Sequence, residues 1–159
     1  MSYSLIQLFL LHSHRKGIST FHPVLVLAEY FEMSRNPNQA SILLVDDSTT
    51  NIALLEAIFD EKGYQIIKAQ SISDALSSIS RRIPDLILLD LLFPKVSGFD
   101  FFEHLQKNEE TRHIPVIVIS ALSDKESENR ALKMGAVDFI SKPIDIAYLT
   151  QKVESVLNL

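Results

Sequence analysis

The sequence predicts an α/β fold in which five strands form one doubly wound parallel sheet covered by helices on both faces. Two observations support this prediction. From residue 41 onward, short apolar runs alternate with segments of helical periodicity, and most of these runs are apolar at successive positions. Strands of that kind are buried on both faces, which is typical of parallel sheets whose connections are helices.

Each predicted strand is a short run rich in Ile, Leu or Val, and most end close to a polar residue or a turn signal. In chain order, the predicted strands are ILLVD (42–46), YQIIKA (64–69), DLILLD (85–90), IPVIVIS (114–120) and VDFIS (137–141).

The first two helices carry start and stop signals. Ser48 can cap a helix that ends at Gly63, and Ser71 with Asp74 three residues later fits a capping box. In the second helix, apolar residues at i, i+3, i+4 and i+7 form one face that can pack on the sheet. Pro84 ends this second segment.

The last three helices are predicted in the same way. Gly98 opens the third helix, and Ser123 with Glu126 forms another capping box before a fourth helix that ends at Gly135. The fourth helix has few apolar residues. The fifth helix follows Pro143 and carries a single apolar stripe.

Residues 1–40 do not follow this pattern, so we expect the folded domain to comprise residues 41–159. Two apolar patches, LIQLFLL and VLVLAEYF, are too short for a membrane helix. Basic residues follow the first patch, whereas a signal peptide carries them before its apolar run. We expect an N-terminal extension that is poorly ordered or dispensable, with translation starting at Met33.

The composition excludes several classes of function. The formal net charge is −5, which disfavours a direct nucleic-acid partner. The chain has no cysteine, so it has no disulfides, thiol nucleophiles or cysteine-ligated metals. We expect a cytoplasmic protein with no membrane partner.

Chemically active residues follow four of the five predicted strands. Asp46 and Asp47 end the first strand, Asp90 the third and Ser120 the fourth, and Lys142 follows the fifth. Each alone has an ordinary structural explanation, as a cap, a turn residue or a solvated charge. Because ligands bind at the carboxyl ends of parallel strands, the five residues together predict one functional site.

The residue types at this edge indicate phosphoryl transfer. Three carboxylates so arranged repel one another unless a cation lies between them, and oxygen ligands without histidine or cysteine favour Mg²⁺. A carboxylate can act as a nucleophile and become an aspartyl phosphate, helped by a lysine and a hydroxyl that neutralise the transferred group. Asp90 is the predicted nucleophile.

With these motifs in order, the sequence closely resembles the receiver domain of two-component response regulators from about residue 42 to residue 157. ILLVDDS is similar to the acidic pair of that family, and DLLFPKVSG to its phosphoacceptor segment. VISA is similar to its switch hydroxyl, and FISKP to its aromatic, lysine and proline. The resemblance implies a flavodoxin-like (βα)5 sheet of strand order 2-1-3-4-5.

The resemblance also implies a reaction and its cofactor. Asp90 would accept a phosphoryl group from the phosphohistidine of a sensor histidine kinase or a histidine phosphotransfer protein. Asp47, Asp90 and the backbone carbonyl of Leu92 would bind Mg²⁺ directly, and Asp46 would bind it through a water. Such a domain is not an enzyme, since it catalyses only its own phosphorylation and dephosphorylation.

Three further residues receive roles from the resemblance. Lys142 would pair with the phosphoryl oxygens, and Ser120 would move to hydrogen-bond one of them. Phe139 matches the switch aromatic, but it has no hydroxyl and can report the switch only by its packing. The Lys142–Pro143 peptide bond should be cis, a form that proline tolerates.

The residues two positions after Asp90 and Ser120 depart from the polar side chains of many relatives. They are Leu92 and Leu122, which flank the path of the hydrolytic water in this family. Apolar side chains cannot orient an attacking water, so we expect slow self-dephosphorylation.

No output domain follows the last helix, so we expect a single-domain regulator that acts on a separate effector protein. Its signalling face would be formed by the fourth helix, the fifth strand and the last helix. The sequence does not decide whether activation produces a homodimer. A phosphorelay intermediate is an alternative. Two further alternatives are weaker. A phosphatase of the haloacid-dehalogenase type needs an aspartate at position 92, where this chain has leucine. A partner-binding module that works without phosphorylation would not need Asp90 or Lys142.

Overall fold

The computed structural model describes residues 40–94 and 96–157 of the chain, which form five strands and five helices in alternation. The strands are β1 (Ser41–Val45), β2 (Gln65–Ala69), β3 (Leu86–Leu89), β4 (Val116–Ser120) and β5 (Asp138–Ser141). The helices are α1 (Thr49–Glu61), α2 (Ile72–Arg81), α3 (Gly98–Lys107), α4 (Lys125–Lys133) and α5 (Ile146–Val156).

All five strands are parallel, and their order across the sheet is β2-β1-β3-β4-β5. The predicted fold class and strand order are therefore confirmed. β1, β3 and β4 lie in the centre and are buried along their whole length, as their unbroken apolar sequences predict. β2 is an edge strand and is partly exposed.

Alternate residues of the central strands point to opposite faces and fill two separate cores. Leu43, Ile87 and Val118 pack with apolar residues of α2, α3 and α4. On the other face, Leu44 and Leu88 pack with apolar residues of α1 and α5. Both cores hold large, fully buried side chains, which fixes the register of the strands because a slip of one residue would exchange the two faces.

The amino ends of β1 and β3 are joined by side-chain hydrogen bonds. The backbone N–H and the hydroxyl of Ser41 both donate to Oδ2 of Asp85, at 2.9 and 2.8 Å. Ser41 is completely buried, so the Asp85 carboxylate supplies the acceptor that these two donors need.

The helix caps agree with the sequence except at α4. Ser48 caps α1 and Ser71 caps α2, as predicted. The predicted Ser123–Glu126 capping box of α4 is wrong, because Asp124 is the N-cap. The two Asp124 carboxylate oxygens accept from the backbone N–H and the hydroxyl of Ser127, both at 2.8 Å, and a serine hydroxyl could not accept both bonds with the same geometry.

The predicted stop signals and the predicted cis bond are present. Gly63 and Gly135 follow α1 and α4 with φ of 84° and 103°, values that glycine adopts without strain. The Lys142–Pro143 peptide bond is cis.

The predictions about the N-terminal extension and a start at Met33 concern residues 1–39, which lie outside the described residues. Within residues 40–94 and 96–157, no helix combines the length and the apolar character needed to cross a bilayer.

Candidate functional site

The carboxyl ends of β1, β3, β4 and β5 bring four of the predicted side chains together. Asp46 follows β1 directly and Asp90 follows β3 directly, whereas Ser120 is the last residue of β4 and Lys142 follows β5. The strands thus end one residue earlier than predicted at both aspartates. The backbone N–H of Asp90 still donates to the carbonyl of Val45, so the ladder holds this acid in place.

Lys142 bridges the two buried carboxylates. Its Nζ atom lies 2.8 Å from Oδ2 of Asp46 and 2.5 Å from Oδ2 of Asp90. Asp46 is only 4% exposed and Asp90 only 6% exposed. Burial alone would lower the pKa of Lys142, but its hydrogen bonds to Asp46 and Asp90 and the attraction of both charges raise the pKa above its ordinary value. The ammonium therefore stays protonated and balances part of the negative charge.

The second carboxylate oxygen of Asp90 accepts two hydrogen bonds. The backbone N–H of Leu92 donates to Oδ1 at 3.0 Å, and the hydroxyl of Ser120 donates to the same atom at 3.2 Å. The Ser120 hydroxyl also accepts from the backbone N–H of Leu122 at 3.3 Å. Ser120 thus links Asp90 to the loop that leads into α4.

Two residues at the start of α1, Ser48 and Asn51, hold the Asp46 carboxylate by hydrogen bonds. Its Oδ1 accepts from the backbone N–H of Ser48 at 2.8 Å, and its Oδ2 accepts from Nδ2 of Asn51 at 2.9 Å. Asn51 was not among the predicted site residues. Its only signal in the sequence is a side-chain amide in the first turn of a helix that begins beside the acidic pair.

Two predicted residues, Asp47 and Phe139, lie outside this hydrogen-bonded cluster. Asp47 is exposed and lines an open groove together with Phe93, Pro94 and Val96. Phe139 lies in β5 beside Val118 and packs, half-buried, against the core under α2, α3 and α4.

The two leucines near Asp90 differ in exposure. The residue Leu92 is 44% exposed, whereas Leu122 is half-buried and packs against the same core. An apolar side chain therefore lies two positions after Asp90 and two positions after Ser120, the two residues whose side-chain oxygens are hydrogen-bonded to each other.

The donor set suits Mg²⁺ in chemical type, since Asp46, Asp47 and Asp90 offer hard carboxylate oxygens with no sulfur or imidazole among them. In the part of the chain that the structure describes, no three acidic or histidine side chains are grouped closely enough to hold a metal ion. Asp46 and Asp90 share the Lys142 ammonium instead, and Asp47 faces solvent.

Comparison with known families gives this geometry a context. Residues 42–154 match the profile of the response regulator receiver domain. The chain belongs to this family. The matched residues include all four strand-end positions described above, so the cluster lies within the receiver domain and not beside it.

Two curated relatives show how the receiver domain is used in different chains. Response regulator PleD of Caulobacter vibrioides is 40% identical over 116 residues, which are 73% of this chain but 26% of PleD. The chain therefore spans about a quarter of the length of PleD. The polar-differentiation response regulator DivK of Brucella ovis is 36% identical over 117 residues, which are 74% of this chain and 95% of DivK.

Solved receiver domains have the same fold. The signal receiver domain of a signal transduction histidine kinase from Syntrophus aciditrophicus is 36% identical with a TM-score of 0.69, covering 75% of this chain and 90% of that one. A two-component response regulator from Clostridium difficile is 26% identical with a TM-score of 0.71, covering 76% of this chain and 97% of that one.

Proposed function

We propose that this receiver domain is a phosphorylation switch in which Asp90 accepts a phosphoryl group from the phosphohistidine of a sensor histidine kinase or a histidine phosphotransfer protein. The observation that carries the proposal is the setting of Asp90. Its buried carboxylate accepts hydrogen bonds from Lys142, Ser120 and the Leu92 N–H at the open edge of the sheet. These donors suit the oxygens of a transferred phosphoryl group equally well.

In the transfer, a carboxylate oxygen of Asp90 forms a bond to phosphorus while the bond between phosphorus and the donor imidazole nitrogen breaks. The electron pair of the broken bond stays on that nitrogen, and the histidine leaves as a neutral imidazole because its other ring nitrogen carries a proton. Lys142 then donates to the new phosphoryl oxygens, and the Ser120 hydroxyl turns from Asp90 to one of them. Neither residue needs to exchange a proton, because phosphoryl transfer depends mainly on position and charge.

Mg²⁺, when bound, would supply positive charge to the phosphoryl oxygens. We assign its direct ligands as Asp47, Asp90 and the backbone carbonyl of Leu92, with Asp46 acting through a water. Asp47 is the exposed member of this set, so its side chain has to turn toward Asp90.

The signal would leave the domain through α4, β5 and α5. Four exposed apolar residues support this choice because such residues suit contact with a partner protein: Leu132, Val137, Ile146 and Tyr148. Phe139 lies in the same region and would report the switch by its packing. Phosphorylation would shift the population between two conformations of this face, and a downstream effector in the cytoplasm would read the difference.

A phosphorelay intermediate is the second candidate function. The similarity to the signal receiver domain of a signal transduction histidine kinase supports this candidate. In this case Asp90 would pass its phosphoryl group to a histidine of another protein. A phosphatase acting on separate substrates is disfavoured because Leu92 cannot serve as its second acid.

Phosphate uptake from acetyl phosphate with Mg²⁺ tests the main proposal, with intact protein mass as the readout. We expect the wild type to gain one phosphoryl group and Asp90→Asn to gain none. Asp100→Asn is the matched control, because it removes an exposed aspartate of α3 and should leave uptake unchanged. No uptake by the wild type, or equal uptake by Asp90→Asn, would overturn the proposal.

A further inference from the structure

The Asp46 carboxylate has a second donor on the oxygen that Lys142 contacts. Nδ2 of Asn51 donates to Oδ2 of Asp46 at 2.9 Å, and Nζ of Lys142 donates to the same atom at 2.8 Å. Two side chains that are far apart in sequence thus meet on one buried oxygen.

This arrangement matters because Lys142 has another task in the proposed reaction. When the ammonium turns to the phosphoryl oxygens, Asp46 loses the cation nearest to it. A buried carboxylate that loses its partner is strongly destabilised unless other donors satisfy it. The Asn51 amide and the Ser48 N–H are the protein donors that stay, one on each oxygen of Asp46.

The start of α1 fixes Asn51 in this position. The backbone N–H of Asn51 donates to the hydroxyl of the N-cap Ser48 at 3.4 Å, so the residue is held by the cap while its side chain reaches the acid. The amide is also neutral. It can satisfy Asp46 without cancelling the negative charge that this residue would present to a Mg²⁺-bound water.

We propose that Asn51 is a positioning residue that holds the Asp46 carboxylate in place while Lys142 moves from Asp46 to the phosphoryl group. The inference rests on the proposed function, because it concerns the same transfer to Asp90. It assigns to α1 a part in the reaction that requires no contact with the reacting atoms. The Asn51 hydrogen bond therefore matters more in the phosphorylated state than in the resting state.

Two measurements test this difference. The first is the rate of Asp90 phosphorylation by acetyl phosphate at saturating Mg²⁺. In this reaction an Asp90 oxygen forms a bond to phosphorus while the bond between phosphorus and the acetate oxygen breaks, and acetate leaves with the electron pair. The second is the apparent dissociation constant for beryllofluoride with Mg²⁺. The variants are Asn51→Ala, which removes the amide, and Asn51→Leu, which removes it at nearly constant side-chain shape. Thr50→Ala is the control, since it changes an exposed neighbour on the same turn of α1.

We expect both Asn51 variants to lower the rate roughly tenfold and to raise the beryllofluoride constant by a similar factor, as expected for a lost hydrogen bond to a charged group. Thr50→Ala should stay within about twofold of the wild type. Urea unfolding without phosphoryl donor should differ little between wild type and the Asn51 variants. A purely structural asparagine would lower this stability and leave the rate and the beryllofluoride constant unchanged.

The proposal is overturned if both variants match the wild type in rate and beryllofluoride binding. It is also overturned if neither variant folds, because Asn51 would then be needed already in the resting domain. Failure of the proposed function itself is distinguishable, since the wild type would then take up no phosphoryl group in the same assay, and the role of Asn51 would fall with it.

Discussion

Gly98 lies directly against the backbone of Leu91, so closely that a Cβ atom at position 98 would be 2.5 Å from the Leu91 Cα and 2.6 Å from the Asp90 carbonyl oxygen. The Gly98 N–H also donates to the Leu91 carbonyl at 3.0 Å. The first residue of α3 therefore rests on the segment that carries Asp90. Only glycine leaves room for this contact.

We predict that Gly98→Ala displaces the Asp90–Leu92 segment. The added methyl group should lower the free energy of unfolding by about 1–3 kcal/mol, as overpacking does, and should also slow phosphate uptake by Asp90. Urea unfolding and the acetyl phosphate assay measure the two effects. Gly135→Ala is the control, because its φ of 103° makes alanine strained at a position outside the Asp90 segment. It should lose stability but keep its uptake rate, and equal uptake by both variants would contradict the prediction.

The lifetime of phosphorylated Asp90 should depend on Leu92. We predict that Leu92→Asn speeds the loss of phosphate roughly fivefold, because an amide can hold an attacking water by one hydrogen bond and the leucine cannot. The measurement is the decay of phosphoprotein after the donor is removed. Leu76→Asn, which replaces an exposed leucine of α2, should decay like the wild type. A wild-type decay as fast as that of Leu92→Asn would contradict slow self-dephosphorylation.

Asp85 should matter for stability. Asp85→Ala leaves the buried N–H and hydroxyl of Ser41 without their acceptor, so we predict a loss of about 2–3 kcal/mol in the free energy of unfolding. Asp85→Asn keeps one oxygen acceptor and should lose less. Urea unfolding compares them, and an equal loss in both variants would show that the acceptor is not the cause.

Asp138 makes part of the stability depend on pH. Its carboxylate accepts from Tyr148 and Lys152 of α5 at 2.8 and 3.0 Å. Burial raises the pKa of Asp138, but the hydrogen bonds from Lys152, Tyr148 and the Phe139 N–H lower it more, so the net pKa is below its ordinary value. A lowered pKa stabilises the fold above the unfolded-state pKa of about 4, and this contribution disappears as the pH falls through the folded-state pKa.

We predict that Asp138→Asn is less stable than the wild type by about 1 kcal/mol at neutral pH, and that the difference shrinks as the pH falls below about 4. Urea unfolding across this range measures it. Asp100→Asn controls for the loss of one exposed negative charge. A difference for Asp138→Asn that stays constant down to the lowest pH at which the protein folds would contradict the prediction.

The parts of the fold that depend on local pattern could be predicted from the sequence. Unbroken apolar runs predicted the central strands, and glycines after α1 and α4 predicted where those helices end. The carboxyl ends of parallel strands lie on the same side of a sheet, and this predicted that Asp90 and Lys142 would meet although they are 52 residues apart. Each of these inferences uses information carried within one segment or fixed by the topology.

Other contacts depend on geometry that no single segment carries. Ser123 and Asp124 are both good cap residues, and only the folded turn decides between them. Asn51 reaches Asp46 because the cap of α1 aims its amide, which the residue type alone does not reveal. The exposed position of Asp47 likewise depends on how the chain turns after β1.

The Ser41–Asp85 pair closes the sheet at the end opposite to Asp90, and this has a consequence for how the domain can change. The register of β1 and β3 is anchored at the end away from Asp90, so a substitution at an exposed loop position such as Leu92 need not loosen the sheet. Under the proposed function, the duration of a signal and the durability of the protein can therefore evolve as separate properties.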